Sequence, residues 1–266
     1  MRILFWVIPS VKFQSGKTNC SDFHYLSLLN IIKRFYPNKW FSNDCFSKWE
    51  GITVNLETNN IINLSISNIE IENLNESFGN LIYLTKLNII NNILYNLSDS
   101  FGNLTSLTQL SITYTNLQRL PESFGNLSSL TDLDISYNEL QILPNSFGKL
   151  SSLTSLNLTN NELQSLPNSF GKLSSLISLN LTNNNIHRLL KSFNNLSLIQ
   201  LFISKNILQI IQKSFINILS LPQLYIYISH YDLHNYSINH YNSFLFTYKR
   251  EYYLPYNKYI LYIYIK

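Results

Sequence analysis

The sequence has no alanine, only 7 glycines, 7 prolines and 2 cysteines, and a single methionine in 266 residues. Charged side chains are scarce at 13%, and asparagine, serine and threonine supply the polarity instead. Asn, Ile, Lys, Phe and Tyr have codons made mostly of A and T, so an AT-rich genome is the simplest account of the bias. The scarcity of charge excludes a function class. Residues 1–60 carry +3, residues 61–224 carry −1 and residues 225–266 carry +2. No stretch offers the clustered basic face that neutralises phosphates, so nucleic acid is not the expected partner. Cys20 and Cys45 are too few for the several disulfides that staple a secreted repeat protein, which leans towards a reducing compartment. No run approaches the ~20 apolar residues of a membrane-spanning helix. The apolar run Ile3 to Ile8 follows Arg2 but is shorter than the ~7–15 residues of a secretory core, and no small-residue cleavage site follows it.

Internal repetition is what the sequence has in abundance. Phe-Gly recurs at Phe78, Phe101, Phe124, Phe147 and Phe170, always 23 residues apart; Phe193 continues the series without its glycine and Phe215 follows after 22. Residues 150–172 read LSSLTSLNLTNNELQSLPNSFGK, and the other turns align on it as L-x-x-L-x-L-x-x-N-x-L-x-x-L-P-x-x-F-G. Leu156 and Leu158 stand two apart, so a strand would turn both to one side, into the core. Leu163, Leu166 and Phe170 would fill that core from the return path. One turn cannot bury these groups alone, whereas stacked neighbours can. Asn161, at the bend after the strand, can satisfy backbone groups the bend would orphan. Pro167 fixes φ on the return, and Gly171 is expected to permit a tight corner. The asparagine column runs Asn92, Asn138, Asn161, Asn184 and Asn206, with lapses at Ile69 and Thr115.

This pattern resembles the leucine-rich-repeat family, in particular the 23-residue repeats of intracellular Ras-group scaffolds, and covers about residues 61–228. The resemblance implies an α/β solenoid, a curved horseshoe with a parallel β-sheet on its concave face, of about eight turns. It also implies a binding module, not an enzyme, with no cofactor or metal, and a monomer. Residues 1–60 would form an N-terminal segment and helical cap. Residues 22–55 resemble the cap of plant-type members through Asp22, Leu26 to Ile32, Trp40, Cys45, Trp49, Gly51 and Ile52. That family places a second cysteine just after; here Thr53, Val54 and Asn55 stand there, so its cap disulfide cannot form. Residues 229–266 would be a low-complexity tail. The last 42 residues hold 12 of the 18 tyrosines, and the expectation is AT-rich drift, partly disordered, against the alternative of a C-terminal cap or an aromatic binding segment. Stretches such as YIYIS do alternate as strands do, with an aggregation hazard if exposed.

Elsewhere the motifs are weak. Gly16-Lys17-Thr18 resembles the end of a phosphate-binding loop, but Val11 replaces the glycine the motif wants. His230 and His234 have metal-pair spacing without a third ligand. Ten N-x-[ST] sequons, among them Asn96, Asn103, Asn126 and Asn157, matter only in a secreted chain. Asp132 and Asp134 read as hydrated surface acids and not a catalytic pair.

The candidate partner-binding surface is the concave sheet. One column reads Asn88, Ser111, Asp134, Asn157, Asn180, Phe202; the next reads Asn91, Tyr114, Tyr137, Asn160, Asn183, Lys205. On this face of amides and hydroxyls, Tyr114, Tyr137, Asp132, Asp134 and an exposed Phe202 stand out as partner-binding residues. The expected function is protein–protein interaction, as an intracellular scaffold or signalling adaptor in the cytoplasm; the alternative is a secreted or cell-surface recognition module.

Overall fold

The computed structural model describes residues 51–58, 60–188, 191–206, 225–229, 247–249 and 260–264. Strand β1 is Ile52–Val54, β2 Ile61–Ser67, β3 Lys86–Ile90, β4 Gln109–Thr113, β5 Asp132–Asp134 and β6 Ser155–Asn157. Strands β7 (Ser178–Asn180), β8 (Gln200–Phe202), β9 (Tyr225–Ser229), β10 (Thr247–Lys249) and β11 (Ile260–Tyr264) follow. All lie in one sheet, in the order β1-β2-β3-β4-β5-β6-β7-β8-β9-β11-β10. Strands β2 to β9 run parallel and in register, so that Leu64, Leu87, Leu110, Leu133, Leu156, Leu179, Leu201 and Ile226 form one row. Those eight parallel strands are the eight turns that the repeat implied.

The return path carries short 3-10 helices at Glu76–Asn80, Asp99–Asn103, Glu122–Asn126, Asn145–Lys149, Asn168–Lys172 and Lys191–Asn195. An extended N-cap residue starts them, Asn75 and Ser98 in the first two and proline in the next three. Pro121, Pro144 and Pro167 sit at the N-cap with extended backbone, and each carbonyl accepts the N–H of the phenylalanine three residues on. A 3-10 turn advances ~2.0 Å per residue, so few residues cross the solenoid's back. The phenylalanines that follow are fully buried and form a continuous stack. Ring centroids from Phe78 to Phe170 are 6.1 Å apart with planes within 4°, and Phe170 to Phe193 is 5.6 Å. Leu156 and Leu158 point into the same core, as expected.

The glycine after each phenylalanine has a different reason from the one the sequence suggests. Gly171 lies inside the helix Asn168–Lys172, and among the described glycines only Gly51 has positive φ, at 83°. A Cβ on Gly171 would stand 2.2 Å from the Ser192 carbonyl oxygen of the next turn. The column is glycine because successive turns touch backbone to backbone there, not because the chain turns a corner. Gly51 is the positional exception: its left-handed backbone lets its carbonyl accept the Ser65 N–H at 2.7 Å, seating β1 antiparallel on β2. Ile52 and Val54 of β1 thereby help to cover Ile61, Leu64 and Ile66. The remainder of the cap, Gly16-Lys17-Thr18 and the apolar run at 3–8 lie outside the described residues, as do Phe215, His230 and His234.

Two ladders tie the turns together. Asn161 Oδ1 accepts the Leu140 N–H at 3.1 Å, while its Nδ2 donates to the Ile135 carbonyl at 2.9 Å and the Leu158 carbonyl at 3.1 Å. Asn138, Asn184 and Asn206 repeat this arrangement, and Asn92 does so with Ile69 and Ile71. Thr115, at the lapse, is buried and donates its hydroxyl to Asn138 Oδ1. The second ladder is threonine. Thr85, Thr108, Thr131 and Thr154 donate Oγ1 to the carbonyls of Ile62, Thr85, Thr108 and Thr131, at 2.9 to 3.1 Å.

The sheet continues past β8. Tyr225–Ser229 extends the parallel sheet beyond β8, β11 pairs antiparallel with β9, and β10 pairs antiparallel with β11. The alternating Tyr/Ile stretches Tyr225–Ser229 and Ile260–Tyr264 are strands that lengthen the sheet.

Candidate functional site

Where the chain leaves each strand, a row of residues takes left-handed backbone: Asn68, Asn91, Tyr114, Tyr137, Asn160, Asn183 and Lys205, with φ from 53° to 58°; Glu70 does so besides in the first turn. Asparagine tolerates this conformation because its short amide bonds locally, whereas a bulky side chain gives up stability in it. Within the row, neighbours pair. Asn91 donates to Asn68 Oδ1 and Asn183 donates to Asn160 Oδ1. Tyr114 and Tyr137 replace the amide bond with a stack, ring centroids 4.1 Å apart and planes 14° from parallel. They are 53% and 43% exposed, so a preformed aromatic plate faces solvent in turns three and four.

Asp132 and Asp134 are in β5, the strand that leads into Tyr137. Asp134 is half-buried, and its Oδ1 accepts the Ser136 N–H at 3.0 Å and the Ser136 hydroxyl at 2.6 Å. Asn157 and Asn180 make the same backbone bond to Thr159 and Thr182, so this acid occupies an asparagine-like position. Asp132 is exposed. Thr131 Oγ1 has two acceptors in reach, Asp132 Oδ2 at 2.8 Å and the Thr108 carbonyl at 2.9 Å, and one proton to share between them. The Tyr114 hydroxyl is held above the ordinary tyrosine range, chiefly by its hydrogen bond with Tyr137, then by burial and by the charges of Tyr137 and Asp134.

Of the five expected residues, the structure stacks Tyr114 on Tyr137, places Asp132 and Asp134 on β5, and leaves Phe202 apart. Phe202 is half-buried, not exposed, in β8 beside Asn180 and Tyr227, three strands from Asp134. Asn160, in the tyrosines' column, is half-buried, left-handed and bonded to Asn183.

Two features are not anticipated from the sequence. The threonine ladder repeats at the period of 23 and was legible on that ground. Glu139 accepts Asn116 Nδ2 at 2.7 Å and Gln118 Nε2 at 3.1 Å from the previous turn, which lowers its pKa despite some burial. Glu122 likewise caps the next helix through the N–H groups of Ser146 and Asn145; these bonds, with the Lys149 charge, lower its pKa.

Comparison with known proteins agrees with this architecture. The family model for leucine rich repeats matches residues 110–163. No curated protein matches the chain in sequence. Among solved structures, a plant ice-binding protein is similar at TM-score 0.62 and 27% identity, over 71% of this chain and 65% of that one. A leucine-rich-repeat protein of Leptospira interrogans aligns at TM-score 0.51 and 26% identity, over 60% of this chain and 46% of that one. The plant peptide hormone receptor RGFR1, in complex with RGF2, aligns at TM-score 0.51 and 27% identity, over 61% and 26%. The chain therefore spans less than two-thirds of each of these structures. With its 23-residue turns, its parallel sheet and its matching family model, the chain is a leucine-rich-repeat protein.

Proposed function

We propose that this chain is a protein-interaction module whose partner docks on the outward face of the parallel sheet across turns three and four. The carrying observation is the Tyr114–Tyr137 stack. The row otherwise holds asparagine or lysine in left-handed backbone, and these two positions keep tyrosine against that preference while exposing it. Strain held at exposed aromatics is a mark of binding sites, and tyrosine buries large area at little entropic cost. A similar fold occurs in the plant peptide hormone receptor RGFR1, whose structure is a complex with RGF2. The finer reading is an intracellular scaffold; recognition outside the cell is the alternative. A photocrosslinker at Ser111, on the sheet, should capture the partner, whereas one at Lys149, on the return path, should not. Equal capture from both positions would overturn the assignment.

A second reading uses a different face. Thr105, Ser128, Ser151 and Ser174 are exposed, and Ser106, Ser129, Ser152 and Ser175 follow them in the chain. With the threonine ladder they make hydroxyl rows repeating at the ~4.8 Å strand spacing, an uncharged array able to order water. One similar structure is an ice-binding protein. Ice recrystallisation assays decide it: inhibition lost in Ser128→Lys and Ser151→Lys supports this reading, and no inhibition by the wild-type chain removes it.

A further inference from the structure

The surroundings of the tyrosine pair define the chemistry it can recognise, and this inference rests on the sheet face being the docking surface. Each ring gives one face to the stack, and about half of each residue remains open to solvent. Tyrosine faces carry the negative end of the ring quadrupole and attract cations. The strand that leads into Tyr137, β5, carries Asp132 and Asp134 on the same face of the sheet. Asp134 is held in place by its Oδ1 alone, through the two donors of Ser136, which leaves Oδ2 for a ligand. The strands on either side contribute Gln109, Ser111, Ser155 and Asn157 in register, so no cation on these adjoining strands neutralises the two acids. Lys86 in the same row is two strands away. Glu139 is not part of the site, because both its oxygens are taken by Asn116 and Gln118.

We propose that Tyr114, Tyr137, Asp132 and Asp134 form a recognition site for an arginine side chain carried on an extended, basic peptide segment. A guanidinium is flat enough to stack on an aromatic face and presents forked donors to a carboxylate, which an ammonium does not. The neighbouring turns fit a peptide backbone. Asn157 and Asn180 give their Oδ1 to the N–H groups of Thr159 and Thr182, leaving their Nδ2 groups to donate to the carbonyls of a segment laid across β6 and β7.

The test uses the full chain and variants borrowed from its own neighbouring turns, so that each new residue already exists at an equivalent position. Tyr114→Asn and Tyr137→Asn copy Asn91 and Asn160; Asp134→Asn and Asp132→Ser copy Asn157 and Ser155. The probe is a short fluorescein-labelled Ser/Thr/Asn peptide with one central arginine, set against the same peptide with neutral citrulline, lysine or glutamate. Anisotropy at low salt should show the arginine peptide binding about tenfold more tightly than the citrulline one, with lysine between. The tyrosine double variant and the aspartate double variant should each erase that difference, and added salt should shrink it. If arginine and citrulline peptides bind alike, if neither binds, or if the difference survives the aspartate variants, the arginine site is wrong. Crosslinking of a partner from Ser111 would still uphold docking on the sheet, so the two readings fail separately.

Discussion

A Cβ placed on Gly148 would stand 2.1 Å from the Ser169 carbonyl oxygen of the next turn, closer than any real side chain comes. The same seam leaves Ser169 Oγ buried without a hydrogen-bond partner, as it does Ser123, Ser146 and Ser192. Small volume is required on both sides of the contact, and the hydroxyl is not. Gly148→Ala should therefore cost ~1–3 kcal/mol by forcing two turns apart. Ser169→Ala should be neutral or stabilising by up to about 1 kcal/mol, since an orphan hydroxyl leaves the interior. Urea denaturation compares them; a tolerated Gly148→Ala would show that the turns separate at little cost.

Asn161→Ala should cost ~1–3 kcal/mol, because the Leu140 N–H and the Ile135 and Leu158 carbonyls all lose a buried partner. Its neighbour Asn160 is not silent. Alanine there meets left-handed backbone and loses the bond from Asn183, so a smaller loss of about 1 kcal/mol is expected. Asn160→Gly, which removes the backbone penalty, should recover most of that loss in the same melts. If glycine costs as much as alanine, the left-handed backbone is not the source of the loss.

Thr115 is the weak rung. It offers Asn138 one hydroxyl proton, whereas an asparagine at 115 would put an amide within reach of the Ile89 carbonyl and the Leu94 N–H, by analogy with Asn138 at Ile112 and Leu117. Thr115→Asn should raise stability by about 1 kcal/mol. A lower urea midpoint would mean that the threonine is packed against its neighbours too well to replace.

The repeat was legible because every buried residue recurs at a fixed interval. Leu156, Leu158 and Phe170 declare the core, and Asn161 declares the bend by its chemistry. What stayed hidden depends on the next turn or on backbone angle. Gly148 looks like a corner until Ser169 is placed against it. Tyr114 and Tyr137 carry no left-handed signature, although Asn91, Asn160 and Asn183 in the same column could have suggested it. The stack between the tyrosines follows from their adjacency in the column, which the sequence did show. The Tyr/Ile strands near the C-terminus were masked by composition, since drift and β-pattern draw on the same residues.

Glu139 links turns three and four through Asn116 and Gln118, and its carboxyl lies below the usual carboxylate range for that reason. Glu122 is lowered in the same way by Ser146. A lowered folded pKa means stability that is present above the unfolded carboxylate value of 4.5 and lost as pH falls through the folded one. Urea midpoints should therefore drop below about pH 4.5, and Glu122→Gln with Glu139→Gln should flatten that drop. An acid limb of unchanged steepness in the double variant would assign the loss to other carboxylates.

Tyr114 and Tyr137 offer the sharpest separation of fold from function, because the two requirements pull in opposite directions there. The fold favours asparagine: the same row uses it at 68, 91, 160 and 183, in the same backbone and with amide bonds between neighbours. Replacing both tyrosines by asparagine should thus hold stability or raise it by roughly 0.5–1 kcal/mol, after the lost ring stack is counted. Binding should move the other way. A hot-spot tyrosine contributes ~2 kcal/mol or more, so affinity for the partner should fall about thirty-fold for a single replacement. Asp132→Ser should act mainly on the association rate, with an effect that fades as salt is added. The control is Lys149→Ala, exposed on the return path. Unfolding midpoints and partner affinities are to be measured side by side on the wild-type chain and these variants. Stability kept with affinity lost assigns the tyrosines to binding, whereas stability lost with affinity kept would make the stack a structural rung of the solenoid.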